Sequence, residues 1–232
     1  LCEASNVLGG QFLTAGMAPR KGEMKKAVES MAAKAERLGV EIRLNTKVTK
    51  ELIEEIRPHT VINAIGAEPF IPNFPGADRS FVLNAHDVLN GKEKATGNVV
   101  VIGGGMVGME TAEYLAEKGC GVTVLEMMKE FCMDMGDARK ICVTESIYGA
   151  GINPITEVTV TEIKEGEVLG LKDGEKVTYP CDYAVIAVGS KSRDGKELED
   201  VCLALNIGYF TIGDAGMARR AIDATREAYD IA

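Results

Sequence analysis

The segment Asn98–Glu126 constrains this chain more than any other. Asn98-Val99-Val100-Val101-Ile102 is a nearly continuous apolar run of strand length, the pattern of a strand buried on both faces. It stops at Gly103-Gly104-Gly105-Met106-Val107-Gly108, which satisfies G-x-G-x-x-G. Met106 to Lys118 reads as a helix and Val122-Thr123-Val124-Leu125 as a second strand, so the segment forms a βαβ unit. In that context each glycine has a mechanical role. Gly103 permits the tight turn, Gly105 lets backbone approach a diphosphate, and Gly108 lets helix and strand pack closely. The helix N-terminus, at Met106 and Val107, adds unbonded N–H groups and positive potential for an anion. Glu126 closes the second strand, about 20 residues beyond the first glycines, where an acid accepts hydrogen bonds from adenine-ribose hydroxyls. Its charge repels a 2'-phosphate, which favours NAD over NADP, while Lys129 three positions on leaves a small opening for NADP. The expected ligand is a small-molecule dinucleotide.

Around this unit the 232 residues suffice for two domains of ordinary size. Met24, Ala27, Val28, Met31, Ala35 and Leu38 recur at three- and four-residue steps and predict an amphipathic helix over 23–38, stopped by Gly39. Val40 to Leu44 alternates as a strand, and Thr60 to Gly66 reads as a buried parallel strand. Pro69, Pro72, Pro75 and Gly76 forbid regular structure and predict a surface loop. The polar stretch Asn90 to Lys94 marks a boundary before the βαβ unit. Beyond it, Asp137 to Tyr148 suits a helix, and Glu157 to Pro180 alternates around Glu165-Gly166 and Asp173-Gly174, as in a three-stranded antiparallel meander. Asp182 to Gly189 is another buried strand, Tyr209 to Ile212 a further one, and Arg219 to Ile231 a helix.

Composition excludes several classes. A formal net charge of -9, a pI near 4.9 and no Lys/Arg cluster argue against nucleic acid as a partner. No apolar run approaches the roughly 20 residues that a membrane helix needs. The six cysteines, Cys2, Cys120, Cys132, Cys142, Cys181 and Cys202, form no C-x-x-C pair, so they read mostly as reduced, buried small side chains, and that usage points to the cytoplasm. Cys132 is followed by Met133, Asp134 and Met135 without a second cysteine, which disfavours dithiol chemistry. His59 and His86 read as structural, and Met127, Met128, Met133 and Met135 as core or loop packing. The chain opens at Leu1 without a basic leader, so it is expected to be part of a longer polypeptide.

Three further segments resemble the two-dinucleotide-binding flavoprotein disulfide reductase superfamily. Glu3 followed by Leu8-Gly9-Gly10-Gln11-Phe12, with Ala15, Pro19, Lys21, Glu23 and Gly39-Val40 to Leu44-Asn45-Thr46, resembles the branch of old-yellow-enzyme-like NADH:flavin oxidoreductases, which includes 2,4-dienoyl-CoA reductase and enoate reductase. Asn63-Ala64-Ile65-Gly66-Ala67 is similar to the A-T-G-A motif of that superfamily, with Ile65 in place of Thr. Ile212-Gly213-Asp214 is similar to the G-D motif whose Asp contacts the flavin ribityl chain, and Arg219-Arg220-Ala221-Ile222 continues in the branch's manner.

The resemblance implies an α/β, Rossmann-like three-layer fold with two dinucleotide-binding domains. Residues 1–90 and 191–232 would be FAD-domain-like segments, and residues 91–190 an NAD-binding domain. It implies Glu3, Gly10, Gly66, Gly213 and Asp214 as FAD contacts, and Gly189 joins Gly103, Gly105, Met106, Val107, Gly108 and Glu126 among the candidate cofactor-binding residues. In the family a strand, a glycine-rich loop and a helix precede Glu3; here they are absent, so the FAD domain is expected to be incomplete and this chain alone inactive. The implied parent passes a hydride from NADH to FAD and electrons onward through an iron–sulfur cluster to FMN in an N-terminal barrel absent here, acting on an enoate or enoyl-CoA type substrate. No catalytic acid or base and no metal ligand is expected in this part, because the cofactors carry the chemistry. Exposed strand edges allow a homo-oligomer. A nucleotide-binding module without redox turnover is the alternative; a short-chain dehydrogenase is disfavoured by the lack of Tyr-x-x-x-Lys and by the meander.

Overall fold

The computed structural model describes residues 1–133 and 135–232; Asp134, which falls in the stretch after Cys132, lies outside the described residues, as do the side chains of Asp137 and Ala138. The N-terminal part carries helices α1 (Gly10–Ala15), α2 (Gly22–Arg37) and α3 (Lys50–Ile56), then strands β1 (Thr60–Asn63) and β2 (Ala67–Pro69). Next come β3 (Val82–Asn84), α4 (Ala85–Leu89), β4 (Asn98–Ile102), α5 (Met106–Glu117), β5 (Gly121–Leu125) and α6 (Asp137–Gly149). They are followed by β6 (Asn153–Ile155), β7 (Val158–Lys164), β8 (Glu167–Lys172), β9 (Glu175–Pro180) and β10 (Tyr183–Ile186). The chain closes with β11 (Ser190–Ser192), α7 (Lys196–Ala204), β12 (Gly208–Thr211), a 3-10 turn at Gly213–Ala215 and α8 (Ala221–Asp230). These elements group into two compact units. The first is Leu1–Phe12, Lys25–Glu68 and Ser190–Ala232; the second is Leu13–Met24 and Pro69–Gly189.

The second unit is built on a parallel sheet in the order β3-β10-β4-β5-β6. Strand side chains alternate between faces, and both faces of this sheet are covered, which is why β4 reads as a continuous apolar run rather than an alternation. Val99 and Val101 of β4, Val122 and Val124 of β5 and Val185 of β10 pack with Val88 of α4, Met109, Ala112 and Leu115 of α5, and Ile147 of α6. Val100 and Ile102, with Leu125 and Ala184, pack instead against Val158, Ile163 and Val168 of the β7-β8-β9 meander. The three layers are therefore helices, parallel sheet and antiparallel meander. The meander takes its register from its turns: Lys172 pairs with Glu175 across Asp173-Gly174, whose φ angles of 52° and 81° match a two-residue I′ hairpin. The Pro-rich segment lies over this layer. At Gly76 a Cβ would overlap the carbonyl oxygen of Ile163, so only glycine lets that loop pass so close to β7.

In the first unit β1 pairs with β12 in parallel, Val61 opposite Tyr209 and Ile62 opposite Phe210. Val61 and Tyr209 face Ile53 of α3 and Val201 and Cys202 of α7. The other face is open, with Ile62 53% and Phe210 47% exposed, so the expectation of a buried strand at 60–66 holds for one face only. The strand expected at Val40–Leu44 reduces to a single parallel bridge, Cys2 to Arg43, supported by hydrogen bonds from Arg43 N–H to Leu1 C=O (2.8 Å) and from Glu3 N–H to Arg43 C=O (2.9 Å). Val40 and Leu44 remain exposed, and without a buried face nothing extends the pairing. Helix α2 forms as expected, yet of its apolar stripe only Val28 is buried, while Met31 is exposed, as is Leu38 just beyond it.

Cys132, Cys181 and Cys202 are buried, Cys2 and Cys120 half-buried and Cys142 exposed, so burial describes half of them rather than most; no disulfide is formed among the described residues. Burial and the neighbouring Asp182 and Glu167 push the Cys181 thiol up to about 11. Met127, Met128 and Met133 are exposed, and only Met135 packs against the core, contrary to the packing expected of that group. Among the described residues no helix is long and apolar enough to cross a membrane, and no cluster of His, Cys, Asp and Glu could hold a metal ion.

Candidate functional site

In a parallel sheet the loops leaving the C-terminal strand ends form the ligand crevice. The glycine loop leaves β4 there, between β5 and β10. Gly103 has φ +106°, the left-handed region that a side chain disfavours, and a Cβ on it would lie 2.5 Å from the carbonyl oxygen of Ala187 at the end of β10. Gly108 is more constrained: a Cβ there would overlap the carbonyl oxygen of Gly103, so the first turn of α5 rests directly on the loop that precedes it. Gly105 is the opposite case. It is the N-cap of α5, no side chain caps the helix, and the space where its Cβ would stand is open.

The hydrogen bonds show which amides remain for a ligand. Gly103 N–H is used by Leu125 C=O (2.8 Å), and Gly104 N–H donates to Glu126 Oε2 at 2.6 Å. The amides of Met106, Val107 and Gly108 have no helical partner one turn back. None of them, nor Gly105 N–H, bonds to other backbone among the described residues, and Met109 N–H is the first to close the helix, on Gly105 C=O (3.0 Å). These donors sit at the positive end of the α5 dipole, a ready anion cradle. Glu126 is tied at both oxygens, since Oε1 accepts from Met128 N–H at 2.8 Å. Each oxygen keeps a lone pair, so a carboxylate in fixed orientation stands beside the amide donors. Gly189, two residues past Ala187, has φ +103° and open space on its Cβ side.

Sequence reasoning left Gly104 as the variable position of the motif and took no notice of Phe131. A Cβ on Gly104 would meet the Phe131 ring and come within 3.0 Å of Glu126 Cβ. Cys132, at φ +48° and buried, donates its N–H to Gly104 C=O at 3.0 Å. The segment after β5 thus braces the loop through both main-chain polar groups of Gly104, a through-space arrangement with no periodic signal in the chain. A second unforeseen feature is a set of ion pairs on α5. Arg20 bonds Glu113 (2.5 Å) and Ser146 (2.8 Å), and Lys21 pairs with Glu110, fastening Leu13–Met24 to α5.

The remaining candidates lie in the first unit. Asn63 C=O accepts from Ile212 N–H (3.0 Å), so Gly66 and Gly213-Asp214 both leave the C-terminal edge of the β1/β12 pair. Gly10, φ +47°, opens α1, and the next residue, Gln11, donates from Nε2 to Ala67 C=O (3.3 Å) with its amide 4.0 Å from the Cβ position of Gly66. The structure therefore brings Gln11, the neighbour of Gly10, against Gly66-Ala67. Arg193, absent from the sequence reasoning, donates its N–H to Gly66 C=O (3.1 Å) and its Nε to Ala67 C=O (3.3 Å). Glu3 turns to its own chain, its Oε1 accepting from Ser5 N–H at 2.7 Å. Of the histidines, His86 lies in α4, where burial lowers its pKa against the opposing pull of Asp87, and His59 contacts Thr60 Oγ1 at 3.2 Å.

The family described as "Pyridine nucleotide-disulphide oxidoreductase" matches residues 51–218. The bilirubin reductase of Mediterraneibacter gnavus is 38% identical over 228 residues, covering 97% of this chain and 35% of that protein. An NADH oxidase of Thermoanaerobacter brockii is 36% identical over 237 residues, covering 100% of this chain and 36% of that protein. Among solved structures, a 2-naphthoyl-CoA reductase in complex with 2-naphthoyl-CoA superposes with a TM-score of 0.92 at 29% identity, over 99% of this chain and 35% of its own. The chain thus spans about a third of the length of the relatives it matches.

Proposed function

Since this chain belongs to the pyridine nucleotide-disulphide oxidoreductase family and folds as its Rossmann-like flavoproteins do, we propose that it is the pyridine-nucleotide-binding portion of an NADH:flavin oxidoreductase. The observation that carries the reading is the pairing, at the C-terminal ends of β4 and β5, of the amides of Gly105, Met106 and Val107, which have no backbone partner among the described residues, with the oriented carboxylate of Glu126. The amides would hold the diphosphate of NAD(H), and Glu126 its adenine ribose. Gly105 fits this, because a Cβ there would occupy open space that a phosphate needs. Gly108 and Gly189 would shape the cradle around it. In the first unit, Gly10, Gly66, Gly213 and Asp214, with Glu3, would contact FAD. On this reading the first compact unit serves the flavin and the second, which holds the glycine loop, the nicotinamide nucleotide.

When bound, NADH supplies a hydride and FAD accepts it. The protein's own part is to orient: α5 neutralises diphosphate charge, Glu126 selects an unphosphorylated ribose, and the Gly104 peptide is held still by Glu126 and Cys132. Onward transfer to an FMN and iron–sulfur domain elsewhere in the polypeptide, acting on an unsaturated substrate, is favoured by relatives whose names specify reduction of bilirubin and 2-naphthoyl-CoA, both conjugated compounds. The test is NADH-dependent reduction of an artificial electron-accepting dye by the full-length polypeptide. Turnover that is lost in a Gly105→Asp variant supports the reading, whereas NADH binding without any dye reduction leaves only a nucleotide-binding module.

A further inference from the structure

The Gly213-Asp214 turn is held by a closed ring of contacts that the family motif does not include. Gly213 sits at φ +59°, with the Cβ of Ala224 3.0 Å from where its own Cβ would be. Its N–H donates to Glu227 Oε2 at 2.7 Å. The other oxygen of Glu227 is paired with the guanidinium of Arg219. Arg219 then returns to the turn through its main chain, its N–H donating to Asp214 Oδ1 at 3.0 Å. The circuit runs Gly213, Glu227, Arg219, Asp214. It fixes one oxygen of Asp214 and leaves Oδ2 outside the ring of bonds.

We propose that Arg219 and Glu227 are positioning residues that aim Asp214 Oδ2 at a ligand hydroxyl. The inference rests on the reading of Asp214 as a contact to the polyhydroxyl chain of a flavin. Its physical basis is that a carboxylate accepting from a sugar hydroxyl works only in one orientation. Asp214 lies in a three-residue 3-10 turn, which has little rigidity of its own. Glu227 sits two turns into α8, a ten-residue helix, and so ties the turn to a rigid element. The pair is one-third exposed, 39% for Arg219 and 34% for Glu227, so its worth lies in geometry rather than in stabilising the fold.

The experiment uses the full-length flavoenzyme and reads FAD dissociation, the visible circular dichroism of bound flavin, and NADH affinity. Glu227→Ala is expected to weaken FAD binding about tenfold and to change the flavin dichroism, with NADH affinity unchanged. Glu227→Gln keeps an acceptor for Gly213 N–H and should recover most of the loss. Should Glu227→Ala fail to fold, Arg219→Ala carries the same expectation at about threefold, because it removes only the side-chain link of the ring. Wild-type FAD affinity and dichroism in these variants, with Asp214→Ala impaired, would overturn the positioning role alone. An Asp214→Ala variant that keeps its flavin would overturn the underlying reading as well.

Discussion

Replacing Gly108 and Gly105 separately with alanine should separate two reasons for a glycine on one loop. At Gly108 the added methyl overlaps the carbonyl oxygen of Gly103, and the carbonyl carbon lies 3.0 Å away. A tolerable carbon–oxygen contact is about 3.3 Å, so α5 and the loop must separate by on the order of 1 Å. Overpacking of this kind costs roughly 1–3 kcal/mol, which for a chain of this size lowers Tm by about 2–12 °C. A shift of about 1 Å in the amides also degrades ligand alignment by up to roughly 100-fold. At Gly105 the methyl meets nothing, and φ is -72°, which alanine adopts freely. Loss of a favourable N-cap and reduced unfolded-chain entropy are each about 0.5–1 kcal/mol and opposite in sign, so Tm should hold while NADH affinity falls as the methyl intrudes on the phosphate. Thermal melts by far-UV circular dichroism read the first quantity. Because the chain has no tryptophan, NADH binding is best read by calorimetry or by the fluorescence of NADH itself. A Gly105→Ala protein that binds NADH as tightly as wild type would refute the assignment of the cradle, and a Gly108→Ala protein of unchanged Tm would refute the contact.

Glu126→Ala should relax the preference for NADH over NADPH and weaken NADH binding, since it removes both the ribose acceptor and the brace on Gly104 N–H; an unchanged ratio in competition titrations would remove the acid from the selective role. Thiol labelling at pH 8 should modify exposed Cys142 rapidly and leave Cys181 intact, as its thiol sits near 11 and is buried; mass spectrometry of labelled peptides checks the order. Glu227 is held below the usual carboxylate value of 4.5 by the Gly213 N–H and by Arg219, so its contribution is present above that pH and is lost as pH falls through its lowered value. The stability gap between wild type and Glu227→Gln should therefore narrow as pH falls from the usual carboxylate value through the lowered one, and a gap that widens on acidification would contradict the sign.

What the chain declares by itself is whatever depends on neighbours in sequence. Val99 to Ile102, stopped by Gly103, could be read as a doubly buried strand because a run of β-branched residues that long has few other uses. The spacing of Gly103, Gly105 and Gly108 between an apolar run and a helical pattern was legible because it involves only neighbours in sequence, and Asp173-Gly174 marked a hairpin because positive φ is a local property. Tertiary structure decided the rest. Whether Ile62, Phe210 and Met31 are covered depends on what faces them, and alternation carries no information about a partner. The need for glycine at 104 comes from Phe131, and the ring from Gly213 through Glu227 and Arg219 to Asp214 joins residues that meet only because α8 folds back on the turn. Periodicity encodes which face of an element is apolar; only packing determines which side chains meet across space, and the fine geometry of a binding site consists of such meetings.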